Sequence, residues 1–238
     1  MEEKNLFEGQ IEKKGKTETE IIEEKKEKLI GFLKKRINWV CYIILIFLVY
    51  VNVKIRLSPL PRLKDVTTNS WTLGPDLDPF LFLRYAKNIV ENGSLVKIDI
   101  MRYVPLGYDT AGETKLLPYA IAYLYKFLSF FSKITIEYAA IILPVVFSVF
   151  TIIFFFLFVK KIFEDKGKVS NIIALIATAF LIVLPSMIPR TIAGIPEKES
   201  MGFTLLFAAF YFFLCAWKSE NFKKIIIFAI LAGLFTGL

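Results

Sequence analysis

The stretch YAAIILPVVFSVFTIIFFFLFV, Tyr138 to Val159, carries no charged side chain and is followed at once by KKIFEDKGK. At about 1.5 Å rise per residue, a helix of this length crosses the roughly 30 Å hydrocarbon core of a bilayer. Four further runs read the same way: Ile37 to Val53, Val169 to Ile188, Met201 to Trp217, and one from Ile225 to Leu238. In lipid every backbone polar group must be bonded within its own segment, so such runs are helical. The sequence predicts an all-α membrane protein, a multi-span helical bundle with about five spans. Composition agrees: 55% of the 238 residues are hydrophobic, 22% are charged and 24 are Phe. Disordered and coiled-coil classes are thereby excluded.

The charge is unevenly placed. Residues 1–36 hold 10 of the 30 Lys and Arg and 9 of the 22 Asp and Glu, so this stretch is too polar to insert and reads as a cytosolic tail. Thr17 and Glu20 have capping-box spacing, and Ile22, Leu29 and Leu33 recur at helical intervals, which predicts an amphipathic helix. Residues 37–238 form the transmembrane domain. The clusters at 34–36, 160–168 and 218–224 fall on alternate connections, and placing all three in the cytosol leaves 54–135 and 189–200 outside. The net charge of +8 serves membrane orientation rather than nucleic-acid binding, because the cations flank hydrophobic runs. With no His in the chain, imidazole metal sites, His general bases and Ser-His-Asp triads are excluded. Cys41 and Cys215 lie inside apolar runs, where packing rather than a disulfide framework is expected.

The large first outer loop, about 54–135, is rich in Pro, Gly, Asp and Tyr and has structure of its own. Pro79 to Glu91 reads as a helix, with Asp78 at the N-cap, Pro79 at the first helical position and Asn92-Gly93 as the stop. The sequon Asn92-Gly93-Ser94 reads first as this C-cap. Leu116 to Phe131 is apolar but short and holds Pro118 and Lys126, so a membrane-skimming or partly buried helix is expected there.

Two carboxylate pairs stand out. Asp76 and Asp78 flank one residue in GPDLDPFLFLR, and Glu197 and Glu199 flank one residue in AGIPEKES. Carboxylates at i and i+2 in non-helical backbone can converge on a divalent cation, whose hard character favours oxygen ligands. Each pair alone also reads as an N-cap or a solvated turn. Both fall on the same face of the membrane by the charge argument, and any acid, base or hard-metal chemistry in this chain has to use carboxylates.

The order of these features resembles the catalytic subunit of oligosaccharyltransferase, most of all its archaeal AglB type, over about residues 37–238. The family's first acidic motif is matched by DPFLFLR, Asp78 to Arg84. Its second is matched by Arg190, Thr191, Ala193 and Gly194 followed by Glu197-Lys198-Glu199, with Glu197 standing where Asp is usual. The resemblance implies a bundle of the C-type glycosyltransferase kind that moves a lipid-linked oligosaccharide en bloc from a dolichol phosphate or diphosphate carrier. The acceptor would be the side-chain nitrogen of Asn in Asn-x-Ser/Thr. It implies a divalent metal, Mn²⁺ or Mg²⁺, held by Asp78, Glu197 and Glu199, which are also the catalytic candidates, with Arg84 and Arg190 binding substrate phosphate or orienting the carboxylates. The family's Trp-Trp-Asp-Tyr-Gly motif does not occur here. By this resemblance the chain is expected to correspond to the amino-terminal third of such an enzyme, truncated at its C-terminus, and to be inactive alone. Two alternatives remain: another lipid-linked sugar transferase such as a protein O-mannosyltransferase, and a membrane transporter or scaffold. A transporter would place ionisable residues within its spans, and the spans read from the sequence have almost none.

Overall fold

The computed structural model describes residues 18–238, with few side chains described before Asn38. Thr17 and the side chains of Glu20, Leu29 and Leu33 lie outside the described residues. The described residues divide into two units, one up to residue 43 and one over 44–238. Helix α1, Glu18–Arg56, runs through both. After it come α2 (Asp78–Asn92), the short strands β1 (Ile98–Asp99) and β2 (Tyr108–Asp109), and α3 (Leu116–Ser129). They are followed by α4 (Ile136–Ile162), α5 (Val169–Val183), the single turn α6 (Ile188–Thr191), α7 (Lys198–Trp217) and α8 (Phe222–Gly237). The two strands pair antiparallel, Ile98 with Asp109 and Asp99 with Tyr108.

Among the described residues three helices are long and apolar enough to cross a membrane: Asn38–Arg62, counting the turn after α1, Ile136–Ile162 and Lys198–Trp217. The expected span from Val169 to Ile188 is shorter than read, since α5 stops at Val183. The cause is Pro185, whose ring disfavours helical backbone at the preceding residue. Leu184 accordingly sits extended at φ −63°, ψ 119°. At its other end α4 starts earlier than read, because the Thr135 hydroxyl accepts a hydrogen bond from the Tyr138 N–H.

Unit 44–238 is organised by α4, which packs against α5 and α7, while α8 lies on α7 and α3 bridges α2 to α4. One core joins the loop elements to the bundle through Phe82, Tyr85, Ile89, Leu117, Ile121, Ile141, Ala193 and Met201. Helix α3 buries Leu117, Pro118, Ile121 and Ala122 and leaves its other side out, the partly buried helix its composition suggested. The aromatic run of α4 packs between helices, with Phe156 fully buried and Phe154 against Tyr211, Phe212 and Phe235. Helix α2 ends at Gly93, whose φ of 78° is the left-handed conformation that closes helices. Its beginning differs from the reading above: Leu77 occupies the N-cap without a side-chain cap, and Asp78 is the first helical residue.

Candidate functional site

Two backbone crossings bring the acidic segments together. The Gly74 N–H donates to the Gly194 carbonyl at 2.8 Å, and the Gly194 N–H donates to the Ile141 carbonyl of α4 at 3.0 Å. Gly194 has φ +92°, and a Cβ there would lie 2.5 Å from Leu63 Cδ1. A side chain here is disfavoured by conformation and would require the Leu63 side chain to shift. The loop leading to Asp76 and Asp78 is thereby joined to the turn leading to Glu197 and Glu199.

Glu197 is the N-cap residue of α7, in extended backbone, and is only 6% exposed. Its Oε2 accepts from Arg190 Nη1 at 2.7 Å, and the same nitrogen stands 3.5 Å from Glu199 Oε1. Glu199 is exposed and lies within the first helical turn of α7, not in irregular backbone as the i, i+2 reading assumed. A helix N-terminus is a favourable place for a carboxylate, because unpaired N–H groups and the helix dipole face it. Asp78 stands in the first turn of α2 in the same way, exposed, with no hydrogen bond or ion pair to its side chain among the described residues. The carboxylate that meets Glu197 is Asp76, which also accepts from the Leu77 N–H at 2.7 Å.

Burial pushes the Glu197 carboxyl above the usual carboxylate range, and the neighbouring Asp76 carboxyl and the charge of Glu199 add to this against the pull of Arg190. Arg190 is held more firmly protonated by Glu197 and Glu199. Two carboxylates thus share one half-exposed guanidinium, with Asp76 beside them, a local negative excess made wholly of hard oxygen donors. That donor chemistry fits a divalent cation of the Mg²⁺ or Mn²⁺ type. As the side chains stand, no three carboxylates form a ready metal-binding group among the described residues.

Arg84 points elsewhere. Its guanidinium pairs with the buried Asp99 of β1, and no contact joins it to Glu197 or Glu199 among the described residues. A second pair, Arg102 with Glu113 at 2.6 Å, also takes in the Tyr85 hydroxyl at 2.8 Å, with the Arg102 guanidinium 3.9 Å from the Tyr108 ring. Sequence reasoning gave these residues no role, and it missed Arg56, which touches the motif turn. The available signal for Arg56 was its helical spacing from Asn52, which puts two polar groups on one face of α1.

The family model for the oligosaccharyl transferase STT3 amino-terminal region matches residues 62–238. The chain belongs to the STT3 oligosaccharyl transferase family. Solved STT3-type structures from Archaeoglobus fulgidus share its fold. An oligosaccharyltransferase in complex with zinc and sulfate is 22% identical, with a TM-score of 0.66 over 82% of this chain and 24% of that one. The archaeal oligosaccharyltransferase AglB in complex with an inhibitory peptide and a dolichol-phosphate is 21% identical, with a TM-score of 0.69 over 85% of this chain and 23% of that one. A third, tethered to an acceptor peptide containing the NVT sequon, is 20% identical, with a TM-score of 0.66 over 87% and 24%. The chain thus spans about a quarter of the length of these solved relatives. No curated protein sequence matches it.

Proposed function

We propose that this chain supplies the metal and phosphate side of an oligosaccharyltransferase that moves a dolichol-linked oligosaccharide to Asn of Asn-x-Ser/Thr sequons. The observation that carries this reading is the unbalanced cluster of Asp76, Glu197 and Glu199 about the single Arg190, in a chain of the STT3 family. AglB, of the same fold, was solved with a dolichol-phosphate and an inhibitory peptide.

In that reaction the acceptor amide nitrogen bonds to the anomeric carbon as the bond from that carbon to the carrier phosphate breaks. The electron pair departs with the phosphate and an amide proton is lost. Asp78, Glu197 and Glu199 would hold a divalent metal, Mn²⁺ or Mg²⁺, which when bound offsets charge on the departing phosphate. Arg190, half-exposed and already oriented by two carboxylates, meets the phosphate as a charge-assisted donor. Arg84 is committed to Asp99, so this reading gives the phosphate to Arg190 and leaves Arg84 to hold the loop. The hydrogen bond from the Gly74 N–H to the Gly194 carbonyl keeps the two acidic segments facing one another, and orientation of this kind supplies much of the rate advantage of a transferase.

In the same reading residues 1–36 are cytosolic, the domain 37–238 is membrane-embedded and the site opens outside the membrane. Cysteine at Ser94 should then react with an impermeant thiol reagent from outside and cysteine at Lys166 should not; the opposite pattern would reverse the orientation. Catalysis is tested on the natural gene product in membranes, supplied with lipid-linked oligosaccharide, Mn²⁺ and an Asn-x-Thr peptide. Glycopeptide modified on Asn, lost on chelation and restored by Mn²⁺, is expected. Modification on the threonine instead, or turnover indifferent to chelation, would overturn the reading.

A further inference from the structure

Arg56 lies at the end of α1 inside the segment that is long and apolar enough to span a membrane, and it is fully buried. No carboxylate pairs with it among the described residues. A buried cation without an acidic partner is costly and marks a constraint that packing alone would not impose. Its contacts identify that constraint. Arg56 Nε donates to Thr191 Oγ1 at 2.8 Å, and Nη1 donates to the Ile182 carbonyl at 3.3 Å. The Arg56 carbonyl accepts from the Ala193 N–H at 2.9 Å. Ile182 lies in the last turn of α5, where carbonyls have no partner within the helix, and a guanidinium is a fitting cap for a helix C-terminus. Thr191 directly follows Arg190, and its hydroxyl in turn donates to the Met187 carbonyl at 2.7 Å. One residue therefore grips the start of the 182–193 connection and, at two points, its end, next to where Arg190 meets Glu197 and Glu199.

We infer that Arg56, acting through Thr191, is a positioning residue for the carboxylate site: it fixes the turn that aims Arg190 at Glu197 and Glu199. The inference rests on the functional reading above for its effect on turnover, but the conformation it describes is measurable without turnover. Arginine is required because its planar fork serves two acceptors at fixed angles, which the single ammonium of lysine does not reproduce.

The test uses the natural gene product in membranes with Arg56→Lys, Arg56→Met, Thr191→Val and Thr191→Ser. Valine keeps the shape of threonine and removes the acceptor, and serine keeps the acceptor. Supporting shells around metal sites typically contribute 10–100-fold. Thr191→Val and Arg56→Lys should therefore raise the half-saturating Mn²⁺ concentration on the order of tenfold, with the KM for acceptor peptide unchanged and Thr191→Ser close to wild type. The double variant Arg56→Met with Thr191→Val should be little worse than either alone, since the two act as a unit. Independently of activity, amide exchange over 188–197 should quicken in Thr191→Val and not in Thr191→Ser. Equal exchange and equal metal dependence in Thr191→Val and Thr191→Ser would overturn the inference, as would additive losses in the double variant. Quickened exchange in an enzyme indifferent to metal would leave the positioning role standing and overturn the functional reading instead.

Discussion

The 98–113 loop and the motif turn treat their carboxylates in opposite ways. In the 98–113 loop two acids each have an arginine, Asp99 with Arg84 and Glu113 with Arg102. At the turn, Glu197 and Glu199 share Arg190, with Asp76 as a further carboxylate beside Glu197. The electrostatic outcomes diverge accordingly. The Arg102 hydrogen bond holds the Glu113 carboxyl below the usual range, while burial and carboxylate neighbours push Glu197 above it. A matched pair is complete and stabilises a fold, whereas an unmatched cluster carries a charge deficit that a bound cation relieves.

The largest effect that would break this contrast is at Glu197. Glu197→Gln, isosteric but neutral, should lower glycopeptide formation on the order of a hundredfold or more, as loss of a single transition-state charge partner commonly does, with little loss of thermal stability. Asp78→Ala combined with Glu197→Ala should be hardly worse than either alone if both serve one ion. Unchanged turnover in Glu197→Gln would put the chemistry elsewhere.

The next effect tests the crossing that makes the cluster. Gly194→Ala meets a positive φ of 92° and Leu63 Cδ1 at 2.5 Å, and strain of this kind costs about 1–3 kcal/mol. Gly93→Ala has the same backbone handicap, φ 78°, but open space around it, and should cost only about 1 kcal/mol. Thermal unfolding in detergent should rank the two variants in that order, and activity should fall only with Gly194→Ala.

In the loop, Arg102→Ala should cost about 1–3 kcal/mol through the charged hydrogen bonds it removes from Glu113 and Tyr85, leaving metal dependence as it was. A shifted Mn²⁺ response in this variant would join the two regions that the charge count separates. The smallest effect is in pH. Glu113 titrates below its unfolded value, so its contribution is present above about pH 4.5 and fades as pH falls through the native value. Stability should show an acid-side decline that Glu113→Gln reduces. No difference between the two profiles would mean that the pair contributes nothing in solution.

Much of this was legible in residue order. The apolar run of α4 and its trailing lysines announced a membrane helix because backbone in lipid has no other way to bond. The Asn92-Gly93 stop held because only glycine takes that φ without strain. The pairs DLDP and EKE could be marked as candidates because the chain offers no imidazole. The caps were less legible: Asp78 is the first helical residue rather than the cap, Glu199 lies within a helix, and α5 stops five residues early at the proline that the hydropathy pattern runs through.

Sequence by itself thus determined the solvent, the helical class and the list of acids available, since these follow from composition and period along one dimension. Only the tertiary structure decided which acid has an arginine of its own. That choice depends on the Gly74–Gly194 and Gly194–Ile141 hydrogen bonds and on a guanidinium reaching 135 positions along the chain from Arg56 to Thr191. Such contacts leave no local pattern, because the partners become neighbours only after the helices have packed.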